Sequence, residues 1–561
     1  MWKMNKLLVR LYQVIEAEQK KHVWILLVLM VLTSVTELAG IGAIVPLMMV
    51  ASYPEKINDF GLLIPDWLLV GNNLLIVSGA IFLVFIVISN LVQIFTQFFL
   101  NRFSQGVASK LGNRLLVYYL HQPLVFHLNS DSKQLQSYMI NELDRVGTNI
   151  IAPALRFFSR VISIALVSAV VFVLSPIIAI SLMAVLVGAY WLIFRVLRGR
   201  AENNGREISR LSTKRIQYLI EGFEGIRELL IYQKQQLYTD SYAKTNLQIS
   251  RSQADNLTLG FAPHYLVELV ALVGMLVITL SFMISMGGIV NALPWIAFYA
   301  MAAFRLIPAF QQAYLALASM RGSQASLELL IDDLEKSKLF RPGLIDEVDV
   351  NPINVIQLKN MDFSFNGEFK LFSKLNYSFF NDGITLLKGP SGLGKSTLAN
   401  LIMGLLKPDS GEVQYDQQPS AYGLIGLVPQ HVFLLNATVE KNIAFGKKID
   451  PKRISWAIKM AEIDFLSQDG AQQIVEDSGK NFSGGQRQRL GLARALYQEH
   501  SWLVLDEATS ALDADLEEKI IASIQSYSKN HGVIVISHSS AWESKADKIL
   551  DLQQQHSEPA S

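Results

Sequence analysis

Two kinds of hydrophobic pattern divide the chain. Up to about residue 335, long apolar runs alternate with polar stretches; from residue 355 onward, short β-branched runs, turns and helical patterns replace them. Six apolar segments lie at residues 23–50, 74–100, 152–175, 176–197, 260–285 and 289–320. Each is near or above the roughly 20 residues that cross a bilayer, which predicts six transmembrane helices. Lys and Arg concentrate in residues 1–21, 101–151 and 198–259. The loop at 51–73 has only Lys56, and neither Ser175-Pro176 nor the turn between the last two spans carries a basic residue. Basic loops stay on the cytoplasmic side, so both ends are expected there.

The two long basic stretches are themselves patterned. Ile208, Leu211, Ile216, Leu219, Ile220 and Phe223 fall at helical spacing with charges opposite them. Membrane helices that continue as cytosolic rods explain this, with turns at residues 124–132 and 222–230; two small cytosolic subdomains are the competing arrangement. Residues 1–21 mix polar with apolar positions and read as an amphipathic lead-in, not a cleaved signal peptide. The segment 60–70, with Trp67, either lies flat on the outer surface or packs on the first span. Charges inside spans are costly unless paired or facing water. Glu37 sits mid-span in the first helix, and Arg305 lies roughly 20 Å into the sixth at ~1.5 Å per residue. Arg305 either lines a cavity or pairs with Glu37 or Glu268. Arg156 and Arg160, near the cytoplasmic end of the third span, are expected to snorkel outward.

Composition narrows the classes. A chain of 561 residues calls for at least two domains, and 51% apolar residues with a mean hydropathy of +0.30 are high for a soluble protein. A net charge of +1 makes no electrostatic case for a nucleic-acid partner. With no cysteine, disulfides, a thiol nucleophile and Cys-ligated zinc are excluded. The expected division is a transmembrane domain over 1–335, a polar linker over 336–352 containing Pro342-Gly343, and an α/β nucleotide-binding domain over 353–561.

The chemistry is concentrated in that last domain. Gly389-Pro390-Ser391-Gly392-Leu393-Gly394-Lys395-Ser396-Thr397 fits the phosphate-loop pattern between an apolar strand and a helix. Its glycines let the backbone N–H groups face an anion, Lys395 reaches the β/γ-phosphates and Ser396 binds Mg²⁺. Trp502 to Leu505 form a buried strand that ends in Asp506, a second Mg²⁺ ligand, and Glu507, placed to polarise an attacking water. Ser483, Gly484, Gly485 and Gln486 open a helix as a second anion cradle. One ATP has one γ-phosphate, so this cradle points to a second subunit clasping the same nucleotide. Gln430 and His538 follow apolar strands and are positioned to orient water or contact the γ-phosphate and metal. Phe365 either stacks on adenine or sits in the core.

In this order the motifs resemble those of the ATP-binding cassette (ABC) transporters, over essentially the whole chain. The resemblance rests on Gly389–Thr397, Gln430, Phe482-Ser483-Gly484-Gly485-Gln486, Asp506-Glu507, Ser510-Ala511-Leu512-Asp513 and His538. Phe482 stands where the family usually has Leu, and Phe365 where it usually has Tyr. Six spans ahead of one cassette resemble an exporter-type half-transporter in a bacterial inner membrane, which implies a homodimer with two hydrolytic ATP sites. ATP would then lie between Lys395 of one protomer and Ser483 of the other, with the rod tips passing the motion to the membrane. The stretches Glu37–Gly42, Asn141–Val146, Pro153–Arg156 and Ala303–Pro308 resemble bacterial flippases for lipid-linked oligosaccharides, the PglK type. That resemblance implies a substrate cavity in which Arg305, with Glu37, meets the pyrophosphate of the lipid. Export of a peptide, another lipid or a hydrophobic drug is the alternative, and a membrane-anchored regulatory ATPase a remote one.

Overall fold

The computed structural model describes residues 2–52, 73–285, 289–341, 352–365, 370–416, 418, 421, 423–467, 470–476 and 479–553. The outer stretch at 60–70 and most of the linker lie outside the described residues. The chain forms two compact units: Met1–Gln122 with Asn129–Pro342, and Gly343–Ser561 with Pro123–Leu128.

The first unit is helical. In chain order come α1 (Trp2–Val14), α2 (Ala17–Gly42), α3 (Ile44–Ser52), α4 (Asn73–Leu120), α5 (Leu124–Asn129), α6 (Ser132–Ser137), α7 (Leu143–Val146) and α8 (Ala152–Leu174). They are followed by α9 (Pro176–Glu224), α10 (Ile226–Ile231), α11 (Gln235–Ser285), α12 (Ile289–Gly322) and α13 (Gln324–Leu339); of all these, α5 falls almost wholly within the Pro123–Leu128 segment of the second unit. Six of the described helical stretches are long and apolar enough to cross a membrane. Val28, Ile76, Val173 and Ile284 point outward from them, the inversion expected of helices in hydrocarbon. The inner seam is built around α12, where Phe298, Leu306, Phe310 and Tyr314 pack on Ile41, Ile164 and Val167.

Helices α4, α9 and α11 run for 48, 49 and 51 residues without a break. At ~1.5 Å per residue each is over 70 Å long, more than twice a hydrocarbon core. The rods therefore exist, and the alternative of two small subdomains does not hold. The first turn contains α5 and falls where expected. The second comes a little later than expected, because α9 runs on to Glu224 and α10 intervenes before Gln235. Between α8 and α9, Ser175 is extended (φ −154°) and Pro176 opens the next helix, since the residue before a proline avoids helical angles.

The second unit is α/β. Its elements are β1 (Val355–Ser364), β2 (Lys370–Phe380), β3 (Gly383–Lys388), α14 (Lys395–Ile402), β4 (Ser410–Tyr415), β5 (Ile425–Val428), α15 (Val439–Ala444) and α16 (Pro451–Met460). Then follow α17 (Gly484–Tyr497), β6 (Trp502–Asp506), α18 (Ala514–Ser528), β7 (Gly532–Ile536), α19 (Ser540–Glu543) and β8 (Lys548–Asp551). An antiparallel sheet of order β2-β1-β4 accompanies a parallel sheet of order β5-β6-β7-β3-β8. The four leading residues of β6 and all of β7 are buried, which is why they read as unbroken apolar runs. The register pairs Val428 with Leu505, Leu505 with Val535, and Leu387 with Ile536. Parallel pairing in that register brings the residues after β3, β5, β6 and β7 to one sheet edge, where open α/β sheets bind ligands.

Candidate functional site

The phosphate loop, Gln430, Asp506, Glu507 and His538 follow β3, β5, β6 and β7 and so lie at that edge. Gly394 caps α14 at φ +86°, and a Cβ there would come within 2.7 Å of Leu371. Only glycine turns the chain into this helix without strain. Lys395 is buried, and its Nζ donates to the loop carbonyls of Gly389 at 2.7 Å and Pro390 at 3.0 Å. Burial pushes its ammonium below the usual lysine range, an effect opposed by Glu507 and Asp506. An anion in the loop would compensate that desolvation. Asp506, at the end of β6, is raised by burial, while a hydrogen bond from Ser396 opposes the shift. Ser396 and Asp506 are therefore partners.

Glu507 is the centre of the edge. Gln430 Nε2 donates to its Oε2 at 2.5 Å, and His538 Nε2 stands 3.9 Å from its Oε1. The sequence treated Gln430 and His538 as separate candidates; folding brings both to the same carboxylate. Glu507 has φ +50°, a sparsely populated conformation for a side-chain-bearing residue, held by its N–H donating to Ile536 O at 2.9 Å.

The N-terminus of α17 is closed by a capping box. Ser483 Oγ accepts from Gln486 N at 3.2 Å, and Gln486 Oε1 accepts from Ser483 N at 2.8 Å. Ser483 and Gly484 are exposed, and among the described residues no hydrogen bond joins Ser483–Gln486 to Gly389–Thr397. A Cβ at Gly485 would lie 2.8 Å from both Ala511 O and Leu512, so glycine is required for α17 to press on that turn. Sequence reasoning missed the residue that fastens this contact. Gln488 is buried, its Nε2 donates to Glu507 O and Ser510 Oγ, each at 3.2 Å, and it accepts from Ala511 N at 3.2 Å. No local pattern separates Gln488 from any other amide in a helix. Phe482 keeps the apolar role of the leucine it replaces: it is 4% exposed and packs on Phe465. Phe365 is 60% exposed with its ring edge-on to buried Phe363, which overturns the core reading of Phe365.

In the membrane unit, two expectations need correction. Arg160 does not snorkel. It is 4% exposed, and its guanidinium donates to Glu37 Oε1 at 2.9 Å and Gln312 Oε1 at 2.7 Å, tying α2, α8 and α12 together. Glu37 is thus sealed against Arg160, not open to a cavity, and of the alternatives for Arg305 the pair with Glu37 is not formed among the described residues. A dry partner within reach satisfies Arg160 better than a climb to the interface, since a buried charge is tolerable when paired. Arg305 is half-buried, and among the described residues its Nε has no hydrogen-bond partner.

The fold and this edge define a polytopic membrane protein carrying a phosphate-loop α/β cassette. The chain belongs to the ABC transporter family: the family's transmembrane region matches residues 23–303, half of the chain, and its ABC transporter domain matches residues 372–510. It is similar to the ATP-dependent lipid A-core flippase of Burkholderia pseudomallei (strain 1710b), 40% identical over 177 residues, 30% of each chain. It is also similar to that of Pseudomonas fluorescens (strain Pf-5), 30% identical over 350 residues, 60% of this chain and 57% of the relative. The matches thus span from under a third to somewhat over half of these relatives' length. A solved bacterial Atm1-family ABC exporter with ATP bound shares the fold at a TM-score of 0.77 and 18% identity, covering 96% of this chain and 94% of that one.

Proposed function

We propose that the protein is a homodimeric ATP-driven exporter that flips an amphipathic, phosphate-bearing glycolipid, with a lipid-linked oligosaccharide as cargo. It would act in a bacterial inner membrane with both termini cytoplasmic. The observation that carries the ATPase part is the convergence of Gln430 and His538 on Glu507 beside Lys395, Ser396 and Asp506.

The residues present fit ATP with Mg²⁺. Gly389, Ser391, Gly392, Gly394 and Thr397 offer the loop backbone, and Lys395 exchanges its carbonyl partners for phosphate. The Ser396 hydroxyl, the Asp506 carboxylate and the Gln430 amide oxygen form the hard oxygen set that Mg²⁺ prefers. Bound Mg²⁺ would neutralise charge on the phosphates. Glu507 takes the proton of the attacking water, Gln430 holds Glu507 in place by its hydrogen bond, and His538 stands beside the same carboxylate to contact the γ-phosphate or orient water. Phe365 presents an exposed ring for adenine stacking. The cradle at Ser483, Gly484, Gly485 and Gln486, exposed at Ser483 and Gly484, receives the nucleotide of a second copy. With Glu507 in both copies, both sites hydrolyse. The rod tips pass cassette closure to the spans.

For the cargo, Arg305 supports a phosphate-bearing molecule, because its planar fork matches phosphate oxygens and its Nε has no hydrogen-bond partner among the described residues. The lipid A-core flippases among the relatives favour a second reading, a lipid A-type glycolipid, which bears the same phosphate chemistry.

The test is ATP-dependent movement of a lipid-linked oligosaccharide between leaflets of sealed liposomes. Glu507→Gln should bind nucleotide yet hydrolyse it about 10²–10⁴-fold more slowly. Near-normal hydrolysis by that variant would remove Glu507 from its role. Arg305→Ala should lose flipping and keep basal hydrolysis; unchanged flipping would return Arg305 to a structural part. If ATP is hydrolysed while the oligosaccharide lipid stays put, lipid A-type lipids, peptides and drugs become the cargo candidates.

A further inference from the structure

We propose that an anionic phospholipid of the cytoplasmic leaflet occupies a groove between α1 and the lower ends of α2, α4 and α8, apart from the cargo path. This rests on the membrane-spanning reading and its orientation, and is independent of the cargo. The groove encloses about 410 Å³ and is lined only by apolar and aromatic residues, among them Leu8, Tyr12, Leu27, Met30, Phe103 and Phe158.

Helix α1 has two apolar flanks. Met4, Leu7, Leu11 and Val14 are buried, whereas Val9 and Tyr12, on the groove side, are 56% and 50% exposed. The buried flank is clamped, so the helix cannot roll to hide the second one. Arg10 pairs with Glu335 at 2.7 Å and Asp332 at 2.6 Å, Arg114 donates to Val14 O at 3.2 Å, and Lys338 donates to Gln13 O at 2.5 Å. Leu27 and Met30 belong to the span Ala17–Ser52, and Phe158 to Ser132–Leu174, so the groove lies along membrane-spanning helices. Water has no polar partners there and does not fill such a space. An acyl chain is the apolar molecule available at that depth.

The charge beside the groove selects the head group. Lys20 Nζ lies 4.7 Å from the ring centre of the groove residue Tyr12. Arg156, between the lining residues Leu155 and Phe158, donates to Asn101 Oδ1 at 2.8 Å, and among the described residues its buried Nε has no acceptor. Arg102 is exposed next to the lining residue Phe103. Cations beside an apolar slot complement a phosphodiester whose tail enters the slot.

The experiment is native mass spectrometry of the full-length protein incubated with dioleoyl phosphatidylglycerol or dioleoyl phosphatidylcholine. Wild type should retain phosphatidylglycerol several-fold better. Lys20→Gln with Arg156→Gln should level the two lipids, and Ala154→Trp, which fills the groove, should lower the retention of both. Equal retention by wild type overturns the proposal, as does an unchanged preference in the double variant. The charge variants alter no packed core, so they decide the question even where Ala154→Trp does not fold. Displacement of phosphatidylglycerol by an equimolar polyprenyl phosphate would also overturn it and give the groove to the cargo's tail.

Discussion

The buried link between Glu37 and Arg160 permits a quantitative test of the membrane unit. Arg160→Met keeps most of the side-chain length and removes the charge. Glu37, 4% exposed, is then left without the guanidinium at 2.9 Å, and Gln312 loses the donor at 2.7 Å. Breaking a buried pair from one side costs about 3–5 kcal/mol, because the remaining charge has neither water nor partner. Membrane insertion scales put an unpaired acid at mid-helix at about 2.5–3.5 kcal/mol, which agrees. Glu37→Met should cost as much for the mirror-image reason. The double variant strands only the Gln312 amide and should cost about 1–3 kcal/mol. Each single variant is therefore expected to be less stable than the double. Equilibrium unfolding in mixed micelles, followed by circular dichroism, measures the cycle. If the double variant costs the sum of the two singles, the pair is not a coupled buried link and the argument fails.

Three further outcomes concern the cassette. Gly485→Ala places a Cβ 2.8 Å from Ala511 O, a backbone atom that cannot swing aside, so the cassette should lose about 1–3 kcal/mol in chemical denaturation. Wild-type stability would show that α17 and the 510–512 turn are not closely packed. Gln488→Leu strands the Ala511 N–H and releases the Glu507 carbonyl, so ATP turnover should fall while nucleotide affinity, read by a fluorescent ATP analogue, changes little. A loss confined to affinity would remove Gln488 from the support of Glu507. Burial, reinforced by Lys447, lowers His500 from 6.5 to about 4. The unfolded chain takes up this proton first, so stability is lost as pH falls from 6.5 toward 4, and His500→Gln should flatten that part of the cassette's stability–pH curve. An unaltered slope in the variant would assign the dependence to other groups.

The chain itself determined the large divisions. Runs of about 20 apolar residues allow no soluble fold, and a phosphate loop between a buried strand and a helix has few alternatives, so six spans and an α/β cassette follow from local pattern. The helical period at Ile208 and Leu211 similarly revealed the rods before α9 was seen as one helix. Local pattern also located Glu507, Gln430 and His538, because each follows a strand readable as an apolar run. Tertiary structure alone decided which of them meet. Residues 77 positions apart, Gln430 and Glu507, touch because parallel pairing sets β5 beside β6 in register, and register depends on pairing over long distances. Arg160, too, reads alone as a snorkelling residue at a span's end. Its partners lie 123 and 152 residues away on other helices, so the choice between interface and buried pair was made only when α2, α8 and α12 packed.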